Sequence, residues 1–183
     1  MSSVFSGQAR QKIPGIIARY PEKRAALLPL LWLVQEEQGY VSEEAMTEVA
    51  ALLDLTPPQV FQTISFYTMY NPKPMGKFHI QVCRSLMCAL VGAENLMHWI
   101  DAKLGIKPGE TTPDSLFTLK QVECLASCGT GPMMQINDDY YESLTQDKVN
   151  RILDDLKRDG RCLLASGPFL VPAPNGEGIK TGA

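Results

Sequence analysis

Two pairs of cysteines constrain this chain more than any other feature of its sequence. The first pair is Cys83 and Cys88, with four residues between its members, and the second is Cys124 and Cys128, with three. Each pair directly follows a short segment whose residues predict a strand. Because thiolates at the ends of neighbouring strands can converge on one centre, the pattern predicts a metal or cluster site with four sulfur ligands.

The spacing of the cysteines leaves the nature of this centre open. Structural zinc sites with four cysteines most often have two residues between paired ligands, fewer than in either pair here. A [2Fe–2S] cluster is wider than a single ion and each of its irons takes two thiolates, which suits the longer spacing. A Rieske arrangement needs two interleaved histidines, and neither His79 nor His98 stands in such a position. A cluster is therefore favoured, with zinc and disulfide or thiol chemistry as alternatives.

The composition limits the compartment and the partners. Five cysteines, an odd number, favour a reducing environment over a set of disulfides. A helix-turn-helix outline is present between residues 42 and 67, but its second helix has no Lys or Arg and the net charge is −3, so we expect no nucleic-acid binding. No apolar run approaches the roughly 20 residues that cross a bilayer, so we expect membrane association only through partners.

The first third of the sequence predicts a small helical bundle. Its helices are expected at 8–19, 21–39, 42–53 and 56–67. Pro14 should interrupt the first helix and Pro29 should kink the second. Thr56 and Gln59 form a capping box at the start of the fourth.

The remainder of the chain predicts alternating strands and helices. Strands are expected at 78–82, 117–123, 133–136 and 140–142, and helices at 89–104 and 146–157. This order is typical of a compact thioredoxin-like α/β sandwich. We therefore predict an α+β protein with an N-terminal helical bundle (residues 1–71), a thioredoxin-like domain (72–159) and an extended C-terminal tail (160–183).

Longer stretches around the cysteines resemble a known family. They are residues 66–71, 76–83, 104–114, 116–119, 122–125 and 135–138. Together with the cysteine spacing they resemble the thioredoxin-like [2Fe–2S] family, and within it the small peripheral subunits of respiratory NADH:quinone oxidoreductase, complex I. The resemblance runs from about Ile13 to Leu156. Many members have Gly-Ala before the fourth cysteine, where this chain has Ala126-Ser127.

The resemblance implies one [2Fe–2S] cluster with Cys83, Cys88, Cys124 and Cys128 as its ligands. It also implies an electron-transfer subunit that exchanges single electrons with FMN on a neighbouring NADH-binding flavoprotein subunit. Further partners would be the iron–sulfur subunits of the peripheral arm of complex I. The sequence contains no dinucleotide fingerprint, P-loop or nucleophile–base pair, so we expect no catalytic site in this chain, with FMN and NADH bound by the partner.

Several residues outside the ligand set have expected roles. Arg84 is the positive group next to a ligand, placed either to set the reduction potential or to face a partner. Gly129 and Gly131 should let backbone amides approach the sulfurs closely. Cys162 is expected to be a solitary thiol.

The sequence leaves the parent assembly and the location to be decided. Related modules serve NAD-dependent formate dehydrogenases and NAD-reducing hydrogenases, and a zinc-stabilised interaction module is an alternative of another class. We expect a place on the cytoplasmic side of the bacterial inner membrane, since the family resemblance begins too early to leave room for a removable leader. The mitochondrial matrix side is the less favoured location.

Overall fold

The chain divides into two compact units, Met1–Met75 and Gly76–Ala183. The computed structural model describes residues 4–168. Each unit has an apolar core of its own within these residues. No helix between residues 4 and 168 is long and apolar enough to span a membrane.

The first unit is a bundle of four α-helices. They are α1 (Gly7–Ile17), α2 (Leu27–Gln38), α3 (Glu43–Leu52) and α4 (Pro57–Phe66). The Ser42 hydroxyl accepts a hydrogen bond of 3.2 Å from the Ala45 N–H, which caps α3 as its sequence predicts. Leu30, Leu31 and Val34 of α2 are fully buried in the core of the bundle.

Two prolines behave differently from the prediction. Pro14 does not interrupt α1, which continues through it to Ile17, because burial of Ala9 and Ile13 holds the helix against the core. Pro29 does not kink α2, because that helix begins only at Leu27. Pro29 therefore lies in the first turn, where a backbone N–H has no partner within the helix.

The second unit contains a mixed five-stranded sheet. Its strands are β1 (Phe78–Cys83), β2 (Phe117–Val122), β3 (Met134–Ile136), β4 (Asp139–Tyr141) and β5 (Gly167–Pro168), in the spatial order β2-β1-β3-β4-β5. β1 and β2 are parallel, and every other neighbouring pair is antiparallel. The helical bundle followed by this sheet confirms the α+β class.

Three helices accompany the sheet: α5 (Leu86–Leu90), α6 (Ala93–Leu104) and α7 (Gln146–Asp159). The sequence predicted one helix where α5 and α6 lie. Gly92 separates them, because its φ of 107° lies outside the helical range. Glycine adopts this backbone conformation at a much lower free-energy cost than a residue with a Cβ. The break leaves α5 as a separate short helix directly after the first cysteine.

The predicted tail contributes a strand that the sequence did not indicate. Gly167 pairs with Tyr140 and Pro168 with Asp139, so β5 extends the sheet beyond β4. The Ser166 N–H also donates to the Tyr140 carbonyl at 2.7 Å. The prediction for residues 169–183 lies outside the described residues.

His79 is a titratable group in the middle of the second unit. Its Nε2 is buried and has no hydrogen-bond partner among residues 4–168. Burial, followed by the charge of Lys120, lowers the pKa of His79 to about 4. The unfolded chain, with a histidine pKa near 6.5, binds the proton more readily, so stability is lost as the pH falls from about 6.5 towards 4.

Replacing His79 with glutamine should reduce this pH dependence. Between pH 7.5 and pH 5.5 the free energy of unfolding should fall by about 1 kcal/mol more in the wild type than in His79→Gln. Urea unfolding at the two pH values measures the difference. His98→Gln changes an exposed histidine on α6 and should behave like the wild type; equal pH dependence in all three proteins would contradict the assignment.

Candidate cluster site

Parallel pairing of β1 and β2 brings the two cysteine pairs together. The register aligns Cys83, the last residue of β1, with Val122, the last residue of β2. Cys124 follows two residues later, and Cys88 lies on α5 after the turn that leaves β1. Both pairs are therefore at the carboxyl-terminal edge of the same strand pair.

The first pair is enclosed by protein. Cys83 and Cys88 are each only 2 % exposed. A small apolar cluster surrounds them, separate from the main core of the unit. Its members besides the two cysteines are Ala93, Met133, Leu125 and Tyr140. These neighbours limit the access of water to the two sulfurs.

The second pair lies in an exposed loop. The sulfurs of Cys124 and Cys128 are 3.6 Å apart. The Ala126 N–H donates to Cys124 Sγ over 3.3 Å. Ala126 has a φ of 62°, in the left-handed region that residues with a Cβ seldom occupy. The loop thus curls around Cys124 and directs a backbone N–H at its sulfur.

Electrostatic interactions link the two cysteine pairs. Burial disfavours the Cys83 thiolate, but hydrogen bonds from the Leu125 and Ser85 backbone together with the Cys88 side chain lower its pKa. Burial and the neighbouring Cys83 raise the pKa of Cys88 to about 11. The pKa of Cys128 is raised by its hydrogen bond to Cys124 and the charge of that residue.

This electrostatic pattern fits a cationic centre. Thiolates of one pair raise the pKa values of Cys88 and Cys128 by charge repulsion. A bound metal centre offsets such repulsion and holds coordinating thiols in their deprotonated form. The described residues contain no group of three His, Cys, Asp or Glu side chains arranged to hold one ion. The four cysteines form two pairs, and each iron of a [2Fe–2S] cluster takes two thiolates.

Arg84 forms an ion pair at the edge of the site. Its Nε lies 3.1 Å from Oε1 of Glu123, and both side chains are exposed. Because Arg84 follows Cys83 and Glu123 precedes Cys124, this ion pair joins the two cysteine segments. An exposed pair of this kind contributes little stability, and the carboxylate partly offsets the positive charge that the sequence suggested for tuning the sulfurs.

The two glycines near Cys128 differ in what surrounds them. A Cβ added to Gly131 would lie 2.9 Å from Val91 Cγ2 and 3.4 Å from Cys88 Sγ. A Cβ added to Gly129 would have nothing within 4 Å. Gly131 therefore has no room for a side chain beside Cys88, whereas Gly129 has room for one. The close approach of their backbone amides to the sulfurs stays a prediction.

The remaining singled-out residues lie apart from the sulfurs. His98 is exposed on α6. Cys162 packs against the main core of the second unit, with its Sγ 3.7 Å from Oδ2 of Asp155. Sequence reasoning missed Tyr140 and Glu142, whose side chains bond to the second cysteine loop. The available signal was their spacing of two residues in a predicted strand beside the site.

Comparison with known proteins identifies the family. The sequence matches the family described as thioredoxin-like [2Fe-2S] ferredoxin over residues 13–157. The chain belongs to this family. Membership confirms the resemblance and the thioredoxin-like fold, and it makes a [2Fe–2S] cluster the cofactor in preference to zinc.

Curated relatives extend this result over most of the chain. NADH-quinone oxidoreductase subunit 2 of Thermus thermophilus is 45 % identical over 147 residues, which cover 79 % of this chain and 81 % of the relative. An NADH-quinone oxidoreductase subunit of Rickettsia conorii is 46 % identical over 147 residues, covering 79 % of this chain and 88 % of the relative.

A solved structure shares the fold. The crystal structure of an NAD⁺-reducing [NiFe]-hydrogenase in the air-oxidized state superposes with a TM-score of 0.63 and 20 % sequence identity. The match covers 72 % of this chain but only 22 % of the hydrogenase chain. At this identity the likeness concerns the fold alone.

Replacing Gly131 with alanine should damage the site. The new methyl group would meet Val91 and Cys88, and overpacking of this kind costs about 1–3 kcal/mol. We expect Gly131→Ala to lower the iron content per chain and the thermal stability of the loaded protein. Gly129→Ala is the matched control and should leave both unchanged. Val91→Ala combined with Gly131→Ala should recover part of the loss, and equal iron contents in all variants would contradict the proposed packing.

Proposed function

We propose that this chain is an electron-transfer subunit of an NADH:quinone oxidoreductase, complex I. The observation that carries the proposal is the convergence of two thiolate pairs, with backbone N–H groups directed at their sulfurs, in a member of a [2Fe–2S] family. Relatives at 45–46 % identity that carry the name of this oxidoreductase support the assembly. The similarity to an NAD⁺-reducing hydrogenase is one of fold alone, so a hydrogenase as the parent complex has weaker support.

The proposed ligands are Cys83, Cys88, Cys124 and Cys128, with one pair for each iron. When bound, a [2Fe–2S] cluster takes up and releases one electron at a time. The chain's own contribution is to enclose the first pair among apolar side chains and to direct N–H groups at the sulfurs. Such hydrogen bonds stabilise the additional negative charge of the reduced state.

The proposed electron partner is FMN on the NADH-binding flavoprotein subunit. Under this proposal NADH is oxidised on that subunit, and this chain exchanges single electrons with the flavin without a catalytic site of its own. Other iron–sulfur subunits of the peripheral arm would complete the assembly. The chain would then be attached to the cytoplasmic side of the bacterial inner membrane through its partners.

Exposed apolar side chains beside the site support docking of a partner. On and directly after α5, four of them surround the position of Cys88, and we call this set the α5 patch. It consists of Leu86 (73 % exposed), Met87, Leu90 (72 % exposed) and Val91. A contiguous apolar patch of this kind is typical of a protein interface, and its place next to the sulfurs suits a partner that exchanges electrons there.

The helical bundle carries a second group of exposed apolar residues. Phe61, Phe66 and Met69 are each more than half exposed, Phe66 to 75 %. They follow one another along α4 and the segment after it. We propose that they form a further docking surface for subunits of the peripheral arm.

Electron paramagnetic resonance of the chain tests the cluster and its ligands. The anaerobically purified protein should contain about two irons and two sulfides and show a rhombic S = 1/2 signal after reduction with dithionite. Cys124→Ser should lose at least half of the iron or change the signal, because an alkoxide is a poorer ligand than a thiolate. Cys162→Ser is the matched control and should resemble the wild type. A colourless protein with one zinc would overturn the proposal.

Replacing Leu90 with glutamate tests the docking of the flavoprotein subunit. A charge in the centre of the α5 patch should weaken binding to the NADH-binding subunit at least tenfold, about 1.4 kcal/mol, while iron content stays unchanged. Binding is measured by titration of the purified flavoprotein subunit. Leu163→Glu alters a leucine that is 94 % exposed and lies outside the patch, and it should bind normally. Unchanged affinity of Leu90→Glu would exclude the α5 patch from the interface.

A further inference from the structure

Strand β4 presents two consecutive tyrosines to different surroundings. Tyr141 is 1 % exposed and packs in the main core of the second unit. Tyr140 points to the opposite face, as alternation along a strand requires, and packs against the apolar cluster around Cys83 and Cys88. Glu142, two residues after Tyr140, returns to the same side.

Tyr140 forms a hydrogen bond to the peptide group whose N–H donates to Cys124 Sγ. Its hydroxyl donates to the Leu125 carbonyl at 2.7 Å. The N–H of that same peptide group belongs to Ala126 and donates to Cys124 Sγ over 3.3 Å. A donor on the carbonyl fixes the plane of the peptide and polarises its N–H, so the two hydrogen bonds reinforce each other.

This peptide group is held in an uncommon conformation. Ala126 has a φ of 62°, in the left-handed region that a residue with a Cβ adopts only at a cost in free energy. The hydrogen bond from Tyr140 holds the peptide group that directly precedes this φ angle. It therefore opposes rotation of the loop to a more common conformation. The preceding peptide group of the same loop, that of Leu125, lowers the pKa of Cys83, so the segment also influences the first cysteine pair.

Glu142 holds the next part of the loop. Its Oε1 accepts hydrogen bonds from the hydroxyls of Ser127 and Thr130, the latter at 2.5 Å. Ser127 lies between Cys124 and Cys128, and Thr130 lies two residues after Cys128. The Ser143 N–H adds a backbone bond to the Thr130 carbonyl. One carboxylate thus bonds to the loop on both sides of Cys128.

We propose that Tyr140 and Glu142 are positioning residues for the sulfur site. Tyr140 holds the peptide group that donates to Cys124, and Glu142 fixes the segment around Cys128 while placing a negative charge beside it. The inference rests on the proposed function, because it assumes that these cysteines ligate the cluster.

The two residues should affect the reduction potential in opposite directions. The reduced centre carries one more negative charge than the oxidised centre, so N–H donation to a sulfur favours reduction. Loss of the Tyr140 hydroxyl weakens that donation and should shift the midpoint potential to a more negative value. Loss of the Glu142 charge removes a repulsion and should shift it to a more positive value.

The first test compares Tyr140→Phe with Tyr141→Phe in the full chain. Each variant removes one hydroxyl from adjacent positions of β4, but only Tyr140 faces the sulfurs. A redox titration followed by electron paramagnetic resonance should give a more negative midpoint potential and shifted g-values for Tyr140→Phe alone. A potential and spectrum equal to those of the wild type would overturn the role of Tyr140.

A second variant covers the case in which Tyr140→Phe fails to hold iron. Glycine adopts a φ of 62° without strain, so Ala126→Gly added to Tyr140→Phe should restore iron binding. Restoration would support the role of the hydroxyl in holding this peptide group. Failure of the double variant to bind iron would overturn it.

Glu142→Gln tests the second residue separately. The amide oxygen can still accept the bonds from Ser127 and Thr130, so the variant removes the charge with little change in geometry. A more positive midpoint potential supports the assignment, and an unchanged potential overturns it. If the wild-type chain itself holds no iron, the proposed function fails before any variant is compared. If the wild type is loaded and the variants match it, only this inference fails.

Discussion

The parallel pairing of β1 with β2 is the interaction on which the sulfur site depends. Cys83 and Cys124 are far apart in the sequence. Cys83 is the last residue of β1, and Cys124 follows β2, whose first three residues are buried. Because the register aligns Cys83 with Val122, both cysteine segments leave the sheet at the same edge. A shift of one residue would turn the apolar side chains of β1 away from the core. The apolar pattern that stabilises the sheet therefore also fixes the position of the cysteines.

The two cysteine pairs lie in different environments, and each environment suits a different need of an electron carrier. The first pair is buried among apolar side chains, which keeps water away and strengthens the effect of each N–H donor. The second pair is exposed, and α5 beside it carries apolar side chains to the surface. Under the proposed function, a partner that exchanges electrons with the site covers the exposed Leu86 and Leu90. The proposed role of the α5 patch thus places the site at the interface with a partner subunit.

Hydrogen bonds from β4 explain how an exposed loop keeps a defined shape. The loop between Cys124 and Cys128 has little apolar burial, and Ala126 adopts a backbone conformation that favours glycine. Its order comes from Tyr140 on one side and Glu142 on the other, both anchored in a strand whose neighbour Tyr141 is buried in the core. Side chains on and next to strand β4 thus hold the loop that carries Cys124 and Cys128.

The sequence by itself determined the bundle, most of the strands and helices, the cysteine pairs and the family. These follow from local periodicity, capping residues such as Ser42, and spacings that need no knowledge of distant contacts. Tertiary structure alone decided the continuous α1 through Pro14, the separation of α5 from α6 at Gly92, and the strand β5. It also distinguished Gly131, where a Cβ would meet Val91 and Cys88, from Gly129, where there is room for one. The roles of Tyr140 and Glu142 belong to the same group, because their hydrogen bonds join segments that only the folded sheet brings together.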